Sequence, residues 1–199
     1  MPRVRMAIGA VTLTLALAGS ASAFSVSYDQ AIASPQGTFK SSVVVKDEMF
    51  RIEMTVAGTK TIVIRNRNGT YQYVPDQRMA FPMPATGPGQ GPIEGAKDYT
   101  GYLTAHQATR VRSESLHGVM CDVYEFTDPS MGGAATAWVS TDQPLPVRLE
   151  LQTAQGKTVT EYSNVRLNPA VSESAFELPA GTEIMDAGAM MQELMGQGF

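Results

Sequence analysis

The sequence predicts a mainly β protein, an antiparallel sheet of about eleven strands curled toward a barrel, on two observations. Apolar and polar residues alternate with a period of two, which leaves a strand one dry face and one wet one. Phe50, Ile52 and Met54 alternate with Arg51, Glu53 and Thr55, and Val147, Leu149 and Leu151 with Arg148, Glu150 and Gln152. Turn chemistry returns at short intervals, as in Asn66-Arg67-Asn68-Gly69 and Ala154-Gln155-Gly156-Lys157, so neighbouring runs fold back as hairpins. A long row of hairpins exposes its edges unless it curls.

The chain opens on Met1-Pro2-Arg3-Val4-Arg5, an apolar run from Met6 to about Ala18, and Gly19-Ser20-Ala21-Ser22-Ala23. Basic start, short apolar middle and small-residue end make the three-part pattern of a secretory signal, residues 1–23, cleaved before Phe24. The apolar run is shorter than the roughly 20 residues a membrane-spanning helix needs. Phe24 rather than a cysteine follows the cleavage point, so the expected product is not lipidated. It is a soluble periplasmic or secreted protein that spans no membrane.

A single domain, 24–185, is expected, with a Met-rich tail or short helix at 186–199. Its strands read as Phe24–Ala33, Thr38–Lys46, Phe50–Val56, Thr61–Arg65, Thr70–Val74 and Arg78–Phe81. After a break come Thr109–Leu116, Val119–Thr127, Ala135–Ser140, Val147–Thr153 and Thr158–Leu167. The break is a Pro/Gly-rich loop at 82–95, where four prolines and four glycines exclude helix and ladder; it reads as a connector or a lid. In the tail, Met190, Met191, Leu194 and Met195 share a side of a helix if one forms; a frayed end is the other reading.

Composition narrows the function. Lys and Arg number 15 against 19 Asp and Glu, a net charge of −4, and losing Arg3 and Arg5 makes the chain more acidic still. Phosphate backbones are repelled by such a surface, so nucleic acid is not an expected partner. Cys121 is the single cysteine, which excludes an internal disulfide; its strand-like surroundings read as an inert buried thiol, with a nucleophile as the alternative. His106 and His117 are the only histidines, eleven apart with no carboxylate at ligand spacing, and read as turn residues rather than metal ligands. No nucleophile elbow, phosphate loop or dinucleotide fingerprint occurs. Glu94 and Asp98 make one i,i+4 carboxylate pair, too little for acid–base chemistry. Neither enzyme activity, cofactor nor metal is expected.

Two stretches resemble a known family. Val43-Val44-Val45-Lys46, Met49-Phe50-Arg51-Ile52-Glu53-Met54, Thr61-Ile62-Val63-Ile64 and Asn68-Gly69-Thr70-Tyr71-Gln72-Tyr73 follow one another in the order of the LolA/LolB-like periplasmic lipoprotein carriers. Leu145-Pro146-Val147-Arg148-Leu149, Thr160–Asn168 and Phe176-Glu177-Leu178-Pro179-Ala180-Gly181 resemble that superfamily's closing strands and its Phe-x-x-Pro-x-Gly ending. DUF4412-type envelope proteins of the same fold match as well. The chain departs from the pattern in opening on a strand rather than a helix and in carrying Ile52 where Trp is common.

The resemblance implies an α+β half-barrel, an incomplete antiparallel barrel with short helices as its lid, around a cavity for acyl chains. Such a cavity needs no catalytic group, since each CH₂ withdrawn from water contributes about 0.8 kcal/mol. Its candidate lining is Phe50, Ile52, Met54, Ile62, Ile64, Tyr71, Tyr73, Val147, Leu149 and Leu151. Arg51 matches the family's lid-latching arginine, although alternation turns it away from Phe50 and Ile52 and leaves an ordinary solvated strand residue as the other reading. The expected function is a carrier or chaperone for a lipid or an acylated protein. The alternative is an envelope sensor or interaction module that meets a protein partner on the same concave sheet, and a hydrolase without a visible site stands third.

Overall fold

The computed structural model describes residues 24–56, 58–83, 98–128, 132–143 and 145–185. The expected signal (1–23), most of the expected Pro/Gly-rich loop and the expected tail (186–199) lie outside the described residues, as does Glu94.

Alternation and tight turns build two meanders. The first comprises β1 (Ser25–Ser34), β2 (Gly37–Lys46), β3 (Met49–Val56), β4 (Thr59–Asn66), β5 (Gly69–Val74) and β6 (Met79–Met83). A seven-residue helix, α1 (Tyr99–Ala105), precedes the second: β7 (Thr109–Leu116), β8 (Val119–Asp128), β9 (Gly133–Ser140), β10 (Pro146–Thr153) and β11 (Gly156–Leu167). A two-residue strand, β12 (Glu183–Ile184), pairs parallel to β6, with Glu183 opposite Met79. All strands form one open sheet in the order β12-β6-β5-β4-β3-β2-β1-β11-β10-β9-β8-β7. Among the described residues the one strand pairing between the meanders is β1 with β11, antiparallel, from Val26 opposite Leu167 to Ala33 opposite Val159.

The expected strands are present, with a twelfth beside them. At the β7–β8 hairpin both His117 (φ 51°) and Gly118 (φ 82°) are left-handed, the conformation that lets a two-residue turn follow the strand twist. At the β4–β5 hairpin Gly69 alone takes positive φ, and Asn68 does not. Pro82 belongs to β6, opposite Tyr71, beyond the Met79–Ala80 stretch that β12 pairs, so its missing N–H breaks no ladder with β12. His106 sits in the turn that follows α1 and is its C-cap, but it is half-buried rather than on the surface, with its ring 4.2 Å from that of Tyr102. Asp98 caps the other end, its carboxylate accepting from the Gly101 N–H at 2.7 Å, a structural task.

The sheet curls so that one face closes on itself. Val26 and Tyr28 of β1, Val43 and Val45 of β2, Phe50 and Ile52 of β3, Val63 of β4, Leu149 of β10 and Phe126 of β8 form one cluster around Tyr99 and Leu103 of α1. Met83 of β6 and Tyr124 of β8, near opposite edges of the sheet, join the same cluster. This is the concave face. The outer face carries two smaller clusters, Met49, Ile62, Ile64, Tyr73, Ala80 and Phe176 in one, and Cys121, Val123 and Trp138 in the other. Cys121 is fully buried as an inert strand thiol, and burial pushes its pKa up.

The stretch after β11 runs across the outer face as a strap. Its 3-10 turn, Glu173–Phe176, drops the Phe176 ring, 0% exposed, among Met49, Ile62, Ile64 and Tyr73. Side chains of the sheet hold the strap by its backbone: Ser25 Oγ donates to the Pro169 carbonyl at 2.8 Å and Lys46 Nζ to that of Val171 at 3.0 Å. Asn66 Nδ2 donates to the Phe176 carbonyl at 3.1 Å. β12 then ends the strap against β6.

Candidate functional site

The concave face ends in an open pocket at the tips of the β2–β3 and β4–β5 hairpins. Its volume is about 640 Å³, and Val45, Phe50 and Met83 supply its apolar wall. Polar groups ring the mouth, with Asp47 and Glu48 on one hairpin tip and Arg65 and Arg67 on the other. The Arg65 guanidinium lies 5.3 Å from the Phe50 ring centroid while Nε donates to Thr70 Oγ1 at 3.3 Å, so its charge is held at the rim and its stem covers the ring. An apolar wall with a few fixed polar groups at its edge suits an amphiphile.

Beneath α1 the concave cluster is rich in tyrosine. Tyr28 meets Tyr162 edge-on at 5.7 Å, and Tyr99 stacks on Tyr102 at 5.5 Å. Burial pushes the Tyr99 and Tyr162 hydroxyls well above the usual phenol range, and the neighbouring tyrosines push Tyr162 further. Both stay protonated and neutral.

A second depression, of about 800 Å³, lies along β1, β2 and β3 and is lined by Asp29, Lys40, Ser42, Glu53 and Lys60. Here Glu53 is paired with Lys60 and with Arg51, each at 2.7 Å, and the Lys60 ammonium together with Arg51 holds its carboxyl below the usual range. The Glu53–Lys60 pair leaves less charge in this depression to hold a ligand.

The eleven residues singled out from the sequence fall into three groups. Phe50, Ile52, Met54, Leu149 and Leu151 belong to the concave cluster. Ile62, Ile64, Tyr71 and Tyr73 belong to the outer face, around Phe176. The pairing register explains the division: Ile52 stands opposite Val63 and Phe50 opposite Arg65, so the odd residues of β4 share the face of the even residues of β3. Val147 parts from Leu149 and Leu151 at a bulge, where Pro146 opposes Val139 and Arg148 already opposes Trp138. The extra residue packs with the outer Trp138 cluster. Arg51 also lies on the outer face, where its Nη1 donates to the Ala175 carbonyl of the strap at 3.3 Å. Sequence reasoning passed over Val45, Val63, Tyr99 and Met83, whose only signal was membership of an alternating run or a place beside the Pro/Gly stretch.

No family model matches the chain, and no curated protein matches it in sequence. Solved structures do match. An uncharacterized conserved protein from Thermus thermophilus superposes with a TM-score of 0.58 at 11% identity, covering 83% of this chain and 91% of that one. The fold is the open, curled antiparallel sheet that the LolA/LolB-like resemblance implied. The Pseudomonas aeruginosa MucA/MucB complex structure matches with a TM-score of 0.50 at 13% identity over 82% of this chain; the chain spans 59% of the length of that match. A LolA superfamily protein from Nitrosomonas europaea, NE2245, is similar at 15% identity over 78% of this chain and 90% of that one, with a TM-score of 0.36 too low to bear on detail. At these identities the likeness is one of fold. Among the described residues no helix is long and apolar enough to cross a membrane.

Proposed function

We propose that the protein is a soluble periplasmic binder of an apolar ligand, a lipid or the acyl chains of a lipoprotein, and acts as a carrier or chaperone rather than as an enzyme. The observation that carries this reading is the apolar cluster of the concave face, which reaches from Tyr124 to Met83 and opens at the Phe50 end into a pocket of about 640 Å³. That volume falls within the range of roughly 300–1,000 Å³ usual for small-molecule sites. Burying acyl chains there takes no directional chemistry, only area removed from water. The secretory pattern of residues 1–23 supports a place outside the cytoplasm.

Protein purified from its own envelope should carry lipid that solvent extraction releases and native mass spectrometry weighs, and stripped protein should take up a fluorescent fatty acid. Clean protein that takes up none would overturn the reading. A second reading, an envelope sensor that grips a protein partner on the same sheet, is supported by the likeness to the MucA/MucB structure, itself a complex. In that case the concave face would capture one envelope protein and no lipid.

A further inference from the structure

Tyr99 opens α1 and is 1% exposed, packed in the concave cluster against the sheet. Its ring is well placed, stacked on Tyr102, but its hydroxyl has no hydrogen-bond partner among the described residues. A phenol stripped of water and left unpaired destabilises the fold, and Phe would fill the same space without that cost. The neighbouring tyrosine rings of Tyr28, Tyr102 and Tyr162 make the surroundings aromatic and largely apolar. A hydroxyl in such a place offers one O–H donor to whatever acceptor comes within reach.

We propose that Tyr99 is the polar anchor of the concave site: its O–H donates to the carbonyl oxygen of an acyl ester seated on that face. The assignment rests on the apolar-ligand reading above and adds the ligand's polar group to it. An ester carbonyl accepts and cannot donate, so once withdrawn from water it needs a donor such as this hydroxyl. The two orphaned groups satisfy each other, and a plain hydrocarbon of the same length leaves Tyr99 unpaired. Tyr99 thereby selects acyl esters over alkanes, because a site built to hydrogen-bond discriminates against the analogue that lacks the group.

The test compares wild type with Tyr99→Phe, with Tyr102→Phe as a control, in displacement of a bound fluorescent fatty acid by methyl palmitate and by hexadecane. Tyr99→Phe should bind methyl palmitate about tenfold more weakly and hexadecane as wild type does, while its melting temperature holds or rises. The carbonyl stretch of bound methyl palmitate should sit lower in wild type than in Tyr99→Phe. Equal changes for both ligands, or none, would overturn the anchor while leaving the apolar-ligand reading intact. Wild type that takes up neither the fluorescent fatty acid nor methyl palmitate would overturn both.

Discussion

Arg51 Nη1 donates to the carbonyl of Ala175 at 3.3 Å, across the outer face of the sheet and away from the concave pocket. The guanidinium also meets Glu53 through Nε at 2.7 Å. It holds the strap, and the concave face lies behind it.

Replacing Arg51 by Leu should therefore act on stability and not on cargo. One partly buried hydrogen bond and one half-exposed ion pair are lost, so urea denaturation should show a loss of about 1 kcal/mol. Uptake and release of a fluorescent fatty acid should match wild type. Altered release kinetics would return Arg51 to the role of a latch.

Phe176→Ala should cost much more. The ring is wholly buried among Met49, Ile62, Ile64 and Tyr73, and its removal leaves a cavity that the strand backbones cannot close. A loss of about 3–5 kcal/mol is expected. Because β12 is continuous with the strap, hydrogen exchange at the Met185 N–H, which donates to the Ala80 carbonyl, should quicken with it.

Met83 and Tyr71 sit on neighbouring strands but on opposite faces of the sheet. Both are half-buried, so a polar substitution at either is survivable. Met83→Glu places a charge in the wall of the pocket and should reduce fatty-acid uptake at least tenfold. Tyr71→Ser, one strand away, should leave uptake unchanged and lower stability by about 1–2 kcal/mol. Equal effects on uptake would show that the ligand does not use the concave face.

The strands were legible in the sequence because alternation and turn chemistry are local. Their faces were not. Ile62, Ile64, Tyr71 and Tyr73 are as bulky and apolar as any concave residue, and only the β3–β4 register, with Ile52 opposite Val63, turns them outward. Val147 shares the parity of Leu149, and nothing in Leu145-Pro146-Val147 announces the bulge that separates them. The strap escaped notice because sheet side chains hold it through its carbonyls, which carry no residue code. α1 follows a Pro/Gly-rich stretch and is only seven residues long, too short for a helical period to stand out.

Acid should loosen the outer face first. Glu53, held by Lys60 and Arg51, titrates below its ordinary value of 4.5 in the folded protein. A carboxyl lowered on folding contributes stability that is present above the unfolded value and is lost as the pH falls through the folded one. Stability should stay flat from neutrality to about pH 5 and decline below pH ~4.5. Glu53→Gln should lower the plateau and shrink that decline; an unchanged acid profile would show that the pairing contributes nothing. Lys60 is half-exposed, so the effect is small.

The seam between β1 and β11 has a consequence for time as well as shape. The strand that begins the domain must wait for the one made almost last, since their partners lie well over a hundred residues apart in sequence. Each meander can zip from its own hairpins, yet neither closes the concave face alone. Such distant pairing makes folding slow. A chain that gathers its two halves late stays threadable for longer, a property that would serve the export proposed above.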